Sequence, residues 1–246
     1  MAYIPPTPEE VRAVDLSWKR YILPEIHPEG KNILWVEFGL FAIFAGAGVL
    51  GRYCAPLYAF WGLAFLFLLV IIFSFYFFRN PVRVPPDGEN LILSPADGIV
   101  SNIKQMTPPP ELGIGEEARL RISIFMSVFS VHVNRAPVTG KVTHLKYVPG
   151  KFVSVQDKDS EDNERQLIGM RASNGQAVGF VQIAGLVARR IYCPLNVGDR
   201  LAAGQVFGMI RFGSRLDVYL PQGCVPAVKL GQVATAGETI LSKMES

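Results

Sequence analysis

An uncharged run of 25 residues, CAPLYAFWGLAFLFLLVIIFSFYFF at positions 54–78, constrains this chain more than any other feature. A helix of that length can cross the hydrocarbon core of a bilayer with some tilt. Hydrophobic residues make up 50% of the chain and charged residues only 18%, which is more apolar than an ordinary soluble domain. The sequence therefore predicts a protein with a membrane portion.

A second apolar run, ILWVEFGLFAIFAGAGVL at 33–50, contains one acid, Glu37. Because a carboxylate inside a membrane is costly, two interpretations stay open: a hairpin of two spans, or one span with a re-entrant or interfacial segment. Basic residues flank the pair on its outer sides, namely Lys19, Arg20, Lys31, Arg79 and Arg83. This bias predicts that both outer ends lie on the cytoplasmic side of a bacterial cytoplasmic membrane.

The chain changes character at about residue 80, where short runs rich in Val and Ile alternate with Gly and Pro turn signals. This alternation of short apolar runs and turn residues predicts a mainly β, antiparallel domain with few helices. Within it, LNVGDRLAAGQVFGMIR (195–211) and VKLGQVATAGETILSKM (228–244) share one spacing of Gly and Ala-Gly. Such repeats resemble the hammerhead hairpins of lipoyl and biotinyl carrier folds, so we expect a sandwich of such hairpins. Neither repeat shows an acceptor lysine at a hairpin tip, but a non-catalytic carrier or adaptor module stays open.

Several common classes of protein are disfavoured by composition. The three cysteines, Cys54, Cys193 and Cys224, are scattered without a CxxC pair, and there are only three histidines. We therefore expect neither a disulfide framework nor a metal site. The net charge of +3 suits a surface of anionic lipid better than a nucleic-acid backbone. No GxxxxGK[ST], HExxH or GxSxG motif is present.

The segment RFGSRLDVYLP at 211–221 contains the only Gly-Ser dipeptide of the chain. The simplest interpretation is a turn. A constrained Gly-Ser bond can also rearrange: the hydroxyl of Ser214 attacks the carbonyl of Gly213, and elimination and hydrolysis leave an N-terminal pyruvoyl group. That carbonyl can condense with a substrate amine and accept electrons as carbon dioxide leaves, the role that PLP has in other enzymes.

Two further residues are candidates for chemistry. Asp97 lies in SPADG, where an Asp-Gly turn is the structural alternative. His132 lies where the apolar strand of SIFMSVFSVHVNRAP ends in polar residues, and a lone histidine there is more often structural than catalytic.

Five motifs occur in one order: SPADG, FMSVFSVHVNRAP, YVPGKF, DKDSEDNER and RFGSRLDVYLP. Together they resemble the short-form phosphatidylserine decarboxylase proenzymes, over residues 80–246. The resemblance implies self-cleavage between Gly213 and Ser214, with Ser214 becoming a covalent pyruvoyl cofactor. It implies no metal and no external cofactor.

The resemblance also implies roles for single residues. Asp97 matches the acid of the self-cleavage relay, and His132 is expected to be the proton donor in decarboxylation. The second histidine of the long-form motif falls at Arg135, and an arginine is a poor general base. Either His132 therefore serves both steps, or Asp97 and water suffice for cleavage. Arg211 and Arg215 are expected to bind the lipid phosphate or the substrate carboxylate, with surface ion pairs as the alternative.

The function that the resemblance implies is membrane-bound decarboxylation of phosphatidylserine to phosphatidylethanolamine. The same chemistry on an archaetidylserine-type lipid stays open. The expected partners are the phospholipid, the membrane, the chain's own cleaved α and β chains and a second copy in a homodimer. We expect an amphipathic segment over 1–32, a membrane hairpin over 33–78 and a catalytic domain over 79–246.

Overall fold

The structure is a computed structural model that describes residues 24–50, 57–150, 163–185 and 190–245. The described chain forms two compact units with a boundary between Pro81 and Val82. The unit before this boundary is helical, and the unit after it is a β unit. Most of the expected amphipathic segment, up to residue 23, lies outside the described residues.

The described part of the helical unit contains two long helices, α1 (Pro28–Leu50) and α2 (Leu57–Phe77). Helix α1 begins at a proline, which suits a first helical position because its missing N–H would have no partner there. A short antiparallel pair of strands, β1 (Glu25–Ile26) and β2 (Arg79–Asn80), joins the outer ends of the helices. Both helices are long and apolar enough, by length and composition, to cross a membrane.

The two helices pack side by side in opposite directions. Phe44 stacks on Phe67 with ring centroids 5.4 Å apart. Closer to the outer ends, the hydroxyl of Ser74 donates a hydrogen bond to Oε1 of Glu37 at 2.8 Å. The buried acid of α1 thus has a polar partner on α2, which lowers the cost of placing a carboxyl group among apolar side chains.

Among the described residues, the β unit contains thirteen strands and one short 3-10 helix over Pro110–Leu112. The strands are β3 (Leu91–Leu93), β4 (Gly98–Met106), β5 (Arg119–Met126), β6 (Val133–Arg135), β7 (Gly140–Val148), β8 (Arg165–Ala172), β9 (Ala177–Ala184), β10 (Arg190–Tyr192), β11 (Arg200–Leu201), β12 (Val206–Arg211), β13 (Ser214–Tyr219), β14 (Val233–Ala234) and β15 (Ile240–Lys243).

One large sheet of the β unit has the strand order β11-β7-β8-β9-β13-β5-β4-β14. Smaller sheets follow the orders β10-β12-β6 and β15-β3, and the described strand pairs are all antiparallel. Phe180 on β9 and Phe207 on β12 meet edge to face, with ring centroids 5.1 Å apart, in a core shared by the sheets. The prediction of a mainly antiparallel β fold with few helices is confirmed.

The two sequence repeats adopt the same local structure. Gly204 and Gly237 stand at equivalent points of the frame, and both have positive φ, 81° and 75°. An L-residue with a Cβ rarely adopts that conformation. The glycine of the Ala-Gly pair that the repeats share is therefore required by the turn between their strands.

Each repeat is held by an upstream segment, and these segments are also related, as APVTGKV and SPADGIV. The N–H of Ala203 donates to Oγ1 of Thr139 at 3.0 Å. The N–H of Ala236 donates to Oδ1 of Asp97 at 2.8 Å. The β unit therefore contains two similar halves, and Asp97 in one corresponds to Thr139 in the other.

Candidate active site

Ser214 is the first residue of β13, a central strand of the large sheet. Its neighbours across the sheet are Met126 on β5 and Ala184 on β9. All three residues are fully buried. The turn interpretation thus applies to the two preceding residues, Phe212 and Gly213, which form a bend, and not to the serine itself.

The backbone just before Ser214 is in an unusual conformation. Phe212 has a φ of 62°, which is rare and costly for a bulky residue. Gly213 has no positive φ, and a Cβ placed on it would meet nothing within 4 Å. Neither backbone conformation nor packing against the described residues therefore demands a glycine at 213.

A buried polar cluster lies beside the serine. The Ser214 hydroxyl donates to Sδ of Met126 at 3.6 Å, and Nδ2 of Asn134 reaches the same sulfur at 3.8 Å. Nε2 of Gln182 donates to Oδ1 of Asn134 at 2.8 Å. Because a thioether is a weak acceptor, the Asn134 amide keeps most of its capacity to donate to a stronger one.

Asn134 and Gln182 were not among the residues that the sequence singled out. Gln182 is the one strongly polar side chain in the apolar strand AVGFVQIA, and Asn134 lies within the VHVNRAP motif. An amide residue within an apolar strand or motif needs a hydrogen-bond partner once it is buried. This sequence pattern could have identified both residues.

His132 is fully buried directly before β6. Its Nδ1 lies 2.9 Å from the carbonyl oxygen of Ser130. Since a carbonyl oxygen can only accept, Nδ1 carries the hydrogen, and Nε2 is the nitrogen that can take up and deliver a proton. The carbonyl of His132 accepts the N–H of Ile210, which lies on β12, the strand that leads to Ser214.

Both carboxylate oxygens of Asp97 have hydrogen-bond partners other than Ser214. Its Oδ2 accepts a hydrogen bond from Nη2 of Arg83 at 2.6 Å, while its Oδ1 is occupied by Ala236 N–H. Among the described residues, the Ser214 hydroxyl hydrogen-bonds to Met126 and to neither Asp97 nor His132. The structure therefore does not assemble the three residues into one hydrogen-bonded relay.

Arg135 occupies the place of the second histidine of the long-form motif. Its Nη1 donates to the carbonyl oxygen of Gly204 at 3.0 Å, and its backbone N–H donates to Pro95 at 2.9 Å. The guanidinium thus supports the Ala-Gly turn of one repeat, and the backbone ties β6 to the SPADG segment.

Arg215 pairs with a buried carboxylate. Its Nε and Nη2 donate to Asp217 at 2.9 and 3.1 Å, and Nη1 of Arg121 lies 3.6 Å from the same carboxylate. Because alternate residues of a strand face opposite sides, Arg215 and Ser214 lie on opposite faces of the sheet. Arg211 lies across from Arg190 in the smaller sheet. The substrate-binding roles of Arg211 and Arg215 stay predictions.

Some of the sequence motifs lie outside the described residues. YVPGKF is described only up to Gly150, and DKDSEDNER only from Asn163 onward.

Burial raises the pKa of the Cys193 thiol to about 12, and such a protonated thiol is a poor nucleophile. No group of His, Cys, Asp and Glu side chains in the described part of the chain could hold a metal ion.

Comparisons with known proteins agree with the resemblance in the motifs. The family model described as phosphatidylserine decarboxylase matches residues 70–242. A phosphatidylserine decarboxylase proenzyme of Cereibacter sphaeroides is 50% identical over 95% of this chain and 95% of its own. Proenzymes of the same name from Paramagnetospirillum magneticum (97% of this chain, 95% of the relative) and Beijerinckia indica (94% of each) are 48% and 49% identical. This chain therefore belongs to the phosphatidylserine decarboxylase family of carboxy-lyases.

Proposed function

We propose that this chain decarboxylates phosphatidylserine to phosphatidylethanolamine at a membrane, and that it is made as a proenzyme which cleaves itself between Gly213 and Ser214. The observation that carries the proposal is the placement of the Gly213-Ser214 bond. It joins a bend with a positive φ at Phe212 to the buried start of a central strand. Strained backbone of this kind clusters at functional sites.

The proposed cleavage uses only atoms of the chain and water. The Ser214 Oγ attacks the carbonyl carbon of Gly213, and the C–N bond breaks to give an ester and an amine. A base then removes the Cα proton of residue 214, which breaks the Cβ–Oγ bond, forms a Cα=Cβ double bond and releases residues 1–213 with a carboxylate end. Hydrolysis of the remaining enamine releases ammonia and leaves the pyruvoyl group on residues 214–246. A base must take the hydroxyl proton, and donors must stabilise the oxyanion.

The surroundings of Ser214 fit a pyruvoyl group. When present, this group supplies a carbonyl that accepts electrons as carbon dioxide leaves. Met126 and Ala184 lie on either side of residue 214 in the sheet, and their apolar atoms exclude water from it. Asn134 and Gln182 offer buried amide donors, and we assign to Asn134 the binding of a developing negative charge. His132 Nε2 is the proposed proton donor to the substrate carbon.

A membrane substrate is supported by the helical unit. Both helices have the length and apolar composition of membrane spans. The proposed orientation puts both outer ends, and the β unit that follows Pro81, on the cytoplasmic side, because the flanking Arg79 and Arg83 are basic. A headgroup enzyme must meet its substrate at the interface, which free amino acids do not require. A homodimer is a further proposal that rests on the family resemblance.

The mass of the purified full-length protein under denaturing conditions tests the proposal. We expect two chains, residues 1–213 and residues 214–246, with the smaller one beginning in a pyruvoyl group. Ser214→Ala should give one chain of about 27.1 kDa. Ser101→Ala, which removes a hydroxyl from an exposed position of β4, should be cleaved normally.

Release of carbon dioxide from detergent-dispersed phosphatidylserine tests the second half of the proposal. The cleaved protein should release it, and Ser214→Ala should not. Faster turnover of an archaetidylserine-type ether lipid would assign the same chemistry to the other substrate. An unbroken wild-type chain with full activity would overturn the pyruvoyl mechanism.

A further inference from the structure

Three basic residues stand in one row across neighbouring strands of the large sheet. Arg200 on β11 lies directly opposite Lys141 on β7, and Lys141 lies directly opposite Arg171 on β8. Direct cross-strand partners project from the same face of a sheet, and all three residues are exposed. They line a groove of about 760 Å³ that also contains hydroxyl groups, including that of Ser173.

This row is unfavourable for the isolated fold. Like charges directly opposite one another destabilise a sheet, and this row contains two such pairs. Within the described residues, none of the three side chains forms an ion pair. Arg171 donates one hydrogen bond, to the carbonyl oxygen of Gly175 at 3.0 Å, but a neutral carbonyl does not offset the charge of the row.

The other half of the β unit shows that the architecture does not require these charges. There, Val233 on β14 lies opposite Ile99 on β4, and Ile99 lies opposite Phe125 on β5. These three residues match Arg200, Lys141 and Arg171 in the repeat, and all three are apolar. The same backbone therefore accepts apolar side chains at the same places, and the basic row must be explained by something other than the fold.

We propose that the row of Arg200, Lys141 and Arg171 is a binding site for a phosphate group. Arginine and lysine bind phosphate through charge-assisted hydrogen bonds, and two arginines beside a lysine provide many donors. The site is separate from Ser214. Along β9, the partner of Arg171 is Ala177 and the partner of Ser214 is Ala184, so the two places are roughly 23 Å apart along the strand at about 3.3 Å per residue.

Binding is tested on the full-length protein in a nonionic detergent, by the thermal shift that inorganic phosphate causes relative to chloride of equal ionic strength. Lys141→Gln should weaken the apparent Kd by roughly tenfold, since one charged contact is lost. The matched control is Lys146→Gln, which removes the same charge from an exposed position of the same strand. It should leave the shift unchanged, and it corrects for the general stabilising effect of phosphate.

Two sources of phosphate are distinguished by a second probe, phosphatidylglycerol in mixed micelles compared with micelles of the same detergent alone. A Lys141-dependent shift with inorganic phosphate indicates a soluble ligand. Such a shift with phosphatidylglycerol alone indicates a lipid headgroup, and either result supports the site. Without any phosphate, Lys141→Gln should melt at the same or a higher temperature than wild type, because the like-charge repulsion is reduced.

The proposal is overturned if Lys141→Gln and Lys146→Gln respond equally to both probes. It is also overturned if Lys141→Gln lowers the melting temperature in phosphate-free buffer, since the lysine would then be a structural residue. Self-cleavage and decarboxylation should proceed in both variants, so failure of this site is distinguishable from failure of the proposed function.

Discussion

Asp97 and Thr139 occupy equivalent positions in the two halves of the β unit, and each side-chain oxygen accepts a backbone N–H from an Ala-Gly turn. The hydrogen bond is therefore a structural feature that both halves share. The negative charge is present in only one half, where Arg83 pairs with it. A test of Asp97 in self-cleavage has to remove the charge and keep the hydrogen bond.

Asp97→Asn meets this requirement, because the amide oxygen can still accept from the turn. We expect self-cleavage to slow at least tenfold, measured as the fraction of two-chain product over time by denaturing electrophoresis. In the uncleavable Ser214→Ala background, the same change should lower the free energy of unfolding by about 1–3 kcal/mol, because the amide nitrogen that replaces Oδ2 cannot accept the hydrogen bond from Arg83.

Asp97→Thr serves as the matched comparison, since it copies the other half of the fold. Like Asp97→Asn, this variant should fold normally but cleave itself slowly. Cleavage of both variants at the wild-type rate would assign Asp97 a purely structural role.

His132→Gln should separate decarboxylation from cleavage. We expect a two-chain product with decarboxylation reduced at least a hundredfold, because the proton donor for the substrate carbon is lost. The measurement is carbon dioxide release per cleaved chain, with cleavage counted separately by mass. His144→Gln, at an exposed position of β7, is the control and should keep full activity. Full turnover by His132→Gln would contradict the assignment, and an uncleaved chain would mean that His132 also serves the first step.

Asn134→Ala tests whether the buried amide binds a developing charge. Loss of one such donor typically costs 10²–10³ in rate, and we expect a loss in this range in cleavage, decarboxylation or both. Asn174→Ala is a close control, because the Asn174 amide reaches the sulfur of Met244 at 3.8 Å, as Asn134 reaches that of Met126. Asn174→Ala should keep normal rates. Equal effects of the two substitutions would reduce Asn134 to a packing residue.

Much of this architecture could be predicted because it depends on local patterns in the sequence. The two apolar runs predicted helices α1 and α2, since an uncharged stretch of that length has few alternatives. The Ala-Gly spacing predicted the two repeats, since Gly204 and Gly237 supply a positive φ that other residues rarely adopt. The Gly213-Ser214 dipeptide could be singled out because it is the only Gly-Ser step in the sequence.

What could not be predicted depends on pairing between distant strands. The cluster of Asn134, Gln182 and Ser214 joins three strands, and nothing in the local sequence fixes which strands become neighbours. The burial of Asp217 with Arg215 likewise follows from β13 lying inside the sheet rather than at its edge. The SPADG segment forms a bend over residues 95–97, but the equivalence of Asp97 to Thr139 could be recognised only in the structure.

Gly213→Ala tests whether the glycine serves the reaction rather than the fold. A Cβ at this position would meet nothing within 4 Å, and the residue has no positive φ. The folded proenzyme should therefore tolerate alanine, with a free energy of unfolding within about 0.5 kcal/mol of the parent in the Ser214→Ala background. Self-cleavage should nevertheless slow at least tenfold, because the extra carbon restricts the backbone rearrangement that lets Ser214 reach the Gly213 carbonyl. Gly175→Ala is the contrasting control: it has similar open space but a φ of 87°, so it should lower stability and leave cleavage unchanged. Rapid cleavage of Gly213→Ala would show that the serine and its surroundings suffice.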